Sequence, residues 1–260
     1  MNLRGIARRI TAVALMSSLP AAGFAACEAR SGPATAALIE LYTSEGCSSC
    51  PPAEQQLDRL RRTLDPAAVV VPLALHVAYW DYIGWKDPYA QNAFEQRQDW
   101  LVHANRGNTL YTPQVFVGGA ELRAWRDALP EEVRRLNALP AAAAISLRAG
   151  IGTAGALALE AEATAHAGGD PVALYLALTE NGLLSRVARG ENGGKILAHD
   201  HVVRAWIGPI RLAAGKARVR RELVLPPAWN RAGLELVVFV QDERSGAVLQ
   251  ALNAQQCAAS

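Results

Sequence analysis

Strong charge of either sign is missing from this chain: 26 Lys and Arg stand against 24 Asp and Glu, a net +2. That balance excludes the basic surface of a nucleic-acid binder. No apolar run is long enough to cross a bilayer, so no stable membrane span is expected. There is no internal repeat, no coiled-coil heptad, no phosphate-binding glycine loop and no Ser-His-Asp set. No second C-x-x-C accompanies the one present, which removes the paired motif of a structural zinc site. No motif calls for a cofactor. Cysteine is scarce, with four in 260 residues.

What is present begins with an export-like segment. "MNLRGIARRI" carries Arg4, Arg8 and Arg9 and no acid, "ITAVALMSSLP" is a short apolar run, and "AAGFAAC" offers small residues for cleavage after Ala25. Residues 1–25 are therefore expected to be a signal peptide, and the protein periplasmic or secreted. Without this segment's three arginines the net charge falls from +2 to −1, so the basic balance belongs largely to the signal. Export favours thiol pairing. Of the three connectivities open to Cys27, Cys47, Cys50 and Cys257, local pairing of Cys47 with Cys50 leaves Cys27 with Cys257. A lipid anchor at Cys27 is the less favoured alternative, because Phe24 stands where a branched aliphatic is preferred and Cys257 would be left over.

Hydrophobic residues make up 51% of the chain, enough for a sizeable core. "ATAALIELYTS" reads as a buried strand. After it, Ala53, Leu57, Leu60 and Leu64 recur at helical spacing, with Pro51 and Pro52 tolerable only at a helix start. "AVVVPLALHV" is a second strand, in which Pro72 signals a kink or an edge. Asp87-Pro88 predicts the start of a second helix, with Asp87 as N-cap, running to about Asn105. "TPQVFVGGAELRAW" predicts a hairpin around Gly118-Gly119, and "DALPEEVRRLNALP" a last helix. The order from Ala37 to Leu139 is thus β-α-β-α-β-β-α. Beyond "PAAAA" at 140–144 come seven strand-like runs separated by turns, the pattern of a β-sandwich.

The motif that carries chemistry is "LYTSEGCSSCPPAEQQL", with Cys47 and Cys50 two residues apart at a helix start. Backbone N–H groups and the helix dipole there favour a thiolate at Cys47 and place Cys50 to resolve a mixed disulfide. Glu45, two residues before Cys47, is expected to oppose that thiolate. The C-x-x-C followed by "YTPQVFVGG" resembles a thioredoxin-like arrangement. That resemblance implies a cis Pro113 facing the pair and a backbone at Thr112 presented to an extended substrate. "ELYTSEGCSSCPPA", "HVAYWDYIGWKDPYA" and "YTPQVFVGG" together resemble a bacterial family of secreted proteins, domain of unknown function 1223. The expected fold class is therefore an α/β thioredoxin-like domain over 34–140, followed by a β-rich, β-sandwich-like domain over 141–257.

Further candidates surround the pair. Glu40 lies within an apolar strand, where a carboxylate needs a partner; the thioredoxin-like resemblance implies a proton relay behind the pair, and the plainer reading is a strand-edge acid reaching water or pairing with an Arg. Seven of the sixteen aromatics fall between Tyr79 and Trp100, and Tyr79 and Trp80 head this run as a candidate wall for an extended partner. His199 and His201, two apart around Asp200, would share a face if on a strand, either as a weak metal site or as a surface turn. The expected function is thiol–disulfide exchange with protein or small thiols and disulfides, Cys47 attacking and Cys50 resolving. The alternatives are copper binding through Cys47, Cys50 and His76, and a non-catalytic interaction module in which the cysteine pair is a staple.

Overall fold

The computed structural model describes residues 27–152, 155–165, 171–255 and 257. The expected signal peptide, residues 1–25, lies outside them. The first strands are β1 (Cys27–Arg30), β2 (Ala37–Thr43) and β3 (Val70–His76), with α1 (Pro51–Thr63) between the last two. Then come α2 (Asn92–Ala104), the hairpin β4 (Gln114–Val117) and β5 (Ala120–Glu121), and α3 (Trp125–Asn137). The remainder is strand: β6 (Ala143–Ile151), β7 (Leu157–Ala165), β8 (Val172–Glu180), β9 (Leu183–Arg186), β10 (Ile196–His199), β11 (Val202–Arg211), β12 (Lys216–Leu223), β13 (Leu234–Asp242) and β14 (Val248–Ala254).

The elements form as their patterns predict, but they do not assemble as an α/β thioredoxin-like domain followed by a separate β-rich one. Eight strands from both halves make one mixed sheet, in the order β14-β13-β8-β11-β3-β2-β4-β5. The fold is β-rich, and the expected class is corrected accordingly. The seam is β3. It pairs in parallel with β2 on one side and meets β11 on the other through Val202 and Ala74. Every residue of β2, β3 and β8 is buried. Strands so apolar cannot stand as exposed edges, so joining the two halves edge to edge removes an unpaired strand from each.

Three layers follow from strand alternation. Ile39 and Leu41 of β2 face α1 and α3, against Leu57, Leu60, Leu129 and Val133. Leu38 and Tyr42 face the other way, toward Phe94 and Leu101 of α2. Leu174, Leu176 and Leu178 of β8, with Leu236 and Val238 of β13, pack on a second sheet of order β1-β6-β7-β12. The larger sheet in this pairing is shared with the first half, so the separate β-sandwich-like domain expected over 141–257 does not form. The turn Gly118-Gly119 helps lock the halves. Gly119 has φ +89°, and a Cβ there would sit 1.7 Å from the carbonyl oxygen of Gly246, in the β13–β14 turn.

Two local expectations change. The second helix starts at Asn92 rather than Pro88, because Asp87 is engaged elsewhere (below). The small hairpin β9–β10 was not anticipated. Cys27 and Cys257 form a disulfide across a sequence separation of 230 with Cα atoms 5.0 Å apart. Such a bridge stabilises by about 2–4 kcal/mol through the unfolded chain. It also fits an extracellular or periplasmic protein. No helix among the described residues is long and apolar enough to cross a membrane.

Candidate functional site

The site begins where β2 runs out. A turn at Ser44-Glu45-Gly46 leads to Cys47, and Cys50 occupies the N-cap of α1. Pro51 and Pro52 follow, at positions whose missing N–H costs the helix nothing. Both cysteines are free thiols and both are buried. The Thr112–Pro113 peptide bond is cis, and the Thr112 carbonyl oxygen lies 3.7 Å from Cys47 Sγ. Ser49 Oγ lies 3.1 Å from the same sulfur.

These contacts set the two thiols apart. The Cys50 thiol donates to Cys47, and against the opposing effect of burial this and the Ser49 hydrogen bonds lower the Cys47 pKa to about 6. Burial, then the hydrogen bond to Cys47 and the Cys47 charge, pushes Cys50 far above the ordinary thiol range. Cys47 is thus the thiolate of the pair and Cys50 its proton-bearing partner.

Tyr79, Trp80 and Thr112 are brought to this end of the sheet. Tyr79 is raised first by burial and further by the nearby Cys50 and Cys47. Trp80 packs on the turn so closely that a Cβ on Gly46 would lie 3.1 Å from its own Cβ. Glu40 is not brought to the pair. Its neighbours Leu38 and Tyr42 face α2, and its carboxylate takes two hydrogen bonds from Arg97, Nε to Oε2 at 2.5 Å and Nη2 to Oε1 at 2.8 Å. It is the Arg-paired acid of the two readings above.

Beneath the cysteines lies a buried polar cluster. Glu45 does not point its charge at Cys47: its carboxylate accepts from Trp85 Nε1 at 2.7 Å and lies 3.0 Å from His199 Nε2. The other nitrogen of His199, Nδ1, is 2.6 Å from Glu54 Oε2. Burial disfavours a charged His199 ring, but the Glu45 and Glu54 carboxylates outweigh it and raise the pKa to about 10. Asp87 accepts from the Glu45 and Tyr89 backbone N–H groups and pairs with His76 Nδ1 at 2.8 Å. His199 and His201 do not act together. His201 has φ +59°, so the chain turns between them rather than continuing as a strand. His76 joins Glu54 and His199, not the sulfurs, so the geometry does not assemble Cys47, Cys50 and His76 as a ligand set.

The β9–β10 hairpin supplies what sequence reasoning missed. From its loop, the fully buried Asn192 donates through Nδ2 to the carbonyls of Glu45 and Cys47, each at 2.9 Å. Glu191 accepts from the Ser48 backbone N–H at 2.9 Å and its hydroxyl at 2.7 Å. The only available signal was "ENGG", a polar turn between two short runs. Asn192→Ala leaves two buried carbonyls without their donor, a cost of about 1–3 kcal/mol. The expected outcome is a less stable turn and faster alkylation of Cys47, read by mass spectrometry. An unchanged rate would mean that the clamp does not govern access. A groove of about 710 Å³ opens at the far end of the strands, lined by Cys27, Pro66, Val70 and Gln250, and none of the residues around the pair line it.

A family model described as a protein of unknown function (DUF1223) matches residues 38–241. The chain belongs to this family. The matched span takes in the cysteine pair, Pro113, the clamp residue Asn192 and His199. No curated protein matches the sequence. Two solved structures share the fold. One is the crystal structure of a protein from Agrobacterium tumefaciens, at TM-score 0.62 and 23% identity, covering 85% of this chain and 94% of that one. The other is HBP35 of Porphyromonas gingivalis, at TM-score 0.67 and 15% identity, covering 86% of this chain and 76% of that one.

Proposed function

We propose that this family member carries out thiol–disulfide exchange in an oxidising compartment, on protein or small-molecule disulfides. The observation that carries the reading is the asymmetry of the pair: Cys47 lowered to about 6 and Cys50 raised, at the start of one helix. In the reducing direction the Cys47 thiolate attacks one sulfur of a substrate disulfide. An S–S bond to Cys47 forms, the substrate S–S bond breaks, and the departing thiolate takes up a proton. The Cys47 charge is then gone, and with it one cause of the high Cys50 pKa. Cys50 loses its proton and attacks Cys47 Sγ. The substrate leaves as a dithiol and the pair is left as a disulfide, two electrons having moved. Oxidation of a substrate is the reverse. Thr112, whose carbonyl meets Cys47 Sγ, would receive the substrate backbone, and Tyr79 and Trp80, at the same end of the sheet, its side chains.

The test is insulin reduction with dithiothreitol as the electron source. The wild type is expected to accelerate precipitation, and Cys47→Ser to fall to the uncatalysed rate. Equal rates for the two proteins would refute the reading. If they are equal and the double Cys→Ser variant is much less stable than the oxidised wild type, the pair is a staple.

A further inference from the structure

We propose that Glu54, His76 and His199 form a binding site for one divalent transition-metal ion of the zinc class, separate from the cysteine pair. Their ligand atoms all lie within 4.8 Å of one another, and all three side chains are buried. The donor set is two imidazoles and one carboxylate, which suits such an ion with a further coordination position left open.

Three observations point to a ligand there rather than to a packed polar core. First, His76 Nε2 is buried and has no hydrogen-bond partner among the described residues, although His76 is 0% exposed. Its Nδ1 faces Asp87 Oδ2 at 2.8 Å, so Nδ1–H donates to that carboxylate and Nε2 is the nitrogen left to take an ion, losing any proton it holds on binding. A buried polar atom with no partner is costly, and the fold keeps one here.

Second, each histidine is backed by a carboxylate on the nitrogen turned away from the cluster. Asp87 holds His76 Nδ1, and Glu45 lies 3.0 Å from His199 Nε2. Carboxylate–histidine–metal chains have this arrangement, because the outer acid fixes the ring and strengthens the inner nitrogen as a donor. Glu54 is held likewise, its Oε1 accepting from the Thr43 hydroxyl at 2.5 Å and leaving Oε2 toward His199. Third, the charges are one-sided. Three buried carboxylates, Glu45, Glu54 and Asp87, meet two imidazoles and no Lys or Arg among the described residues. Binding would replace the Glu54–His199 hydrogen bond at Nδ1 with two bonds to the ion and release that proton.

The elements that converge are distant in sequence. His76 ends β3, Glu54 lies in the first turn of α1, and His199 ends β10. The hairpin that clamps the cysteine turn therefore also completes this site.

The test uses the full chain with Cys47→Ser and Cys50→Ser, so that no free thiol remains and its outcome is independent of the exchange reading. Zn²⁺ is titrated calorimetrically and Co²⁺ by visible absorption. The expected result is one equivalent bound, cobalt bands without sulfur-to-metal charge transfer, and a raised Tm. His76→Ala in that background is expected to abolish the binding. Asp87→Asn and Glu45→Gln are expected to weaken it by ~10–100-fold, as outer-shell carboxylates do. Should His76→Ala fail to fold, Glu54→Gln, which keeps hydrogen-bonding capacity, replaces it. No metal bound by the thiol-free chain, or undiminished binding after His76 or Glu54 is replaced, would overturn the proposal.

Discussion

Ultraviolet titration of the reduced protein is expected to show one thiolate forming with a midpoint of about 6, absent from Cys47→Ser. An ordinary cysteine titrates near ~8.5, so at pH 7 Cys47 is ~90% thiolate where a free thiol is ~3%. The cause is specific. The largest contribution is the hydrogen bond from the Cys50 thiol, which works against burial and is joined by Ser49. Cys50→Ala is therefore expected to move the midpoint upward, and Ser49→Ala to move it less. The sign for stability follows from the lowered value. Ionised Cys47 stabilises the fold above the unfolded thiol range, and that contribution is lost as pH falls through about 6. A midpoint above 8 in the wild type would contradict the account of the pair.

Arg97→Met is expected to destabilise the protein by about 3–5 kcal/mol in urea unfolding, because it leaves a buried carboxylate without its partner. Glu40 is 1% exposed and Arg97 7%, and the guanidinium also binds Gln241 at 3.0 Å. Arg97 lies within 4.7–5.6 Å of the ring centres of Trp100, Tyr175, Trp206 and Phe239, so the substitution also removes four cation–π contacts. Replacing both partners by Leu is expected to recover part of the loss. The Cys47 midpoint is expected to stay put in all of these variants, since Glu40 and Arg97 occupy the other face of the sheet. A loss below 1 kcal/mol for Arg97→Met, or a shifted Cys47 midpoint in Glu40→Gln, would contradict this placement.

Much of the chain was legible locally. The C-x-x-C at a helix start, the Gly118-Gly119 hairpin, the Cys27–Cys257 bridge and seven of the nine strands from β6 to β14 depend on periodicity, turn chemistry or cysteine count. What was not legible is long-range pairing. Nothing in "AVVVPLALHV" says that β3 will accept β11 at its edge, yet that pairing turns two expected domains into one β-rich sheet. Asp-Pro is a good helix start, but α2 begins at Asn92 and Asp87 is not an N-cap. The structure uses it to hold His76 and the Glu45 backbone. Glu45 was expected to oppose the thiolate, but its charge is met by His199, 154 residues away. Charged residues at the ends of apolar strands were the visible trace of this cluster, and their partners could not be read from spacing.

The most direct measurement of the central claim is covalent capture by Cys50→Ala in the exporting cell, followed by non-reducing electrophoresis and mass spectrometry. Cys47 attacks but cannot be resolved in this variant, so the account predicts adducts through Cys47 that dithiothreitol releases and that Cys47→Ser/Cys50→Ala lacks. No adduct from a folded, exported Cys50→Ala protein whose Cys47 is alkylated readily would contradict it.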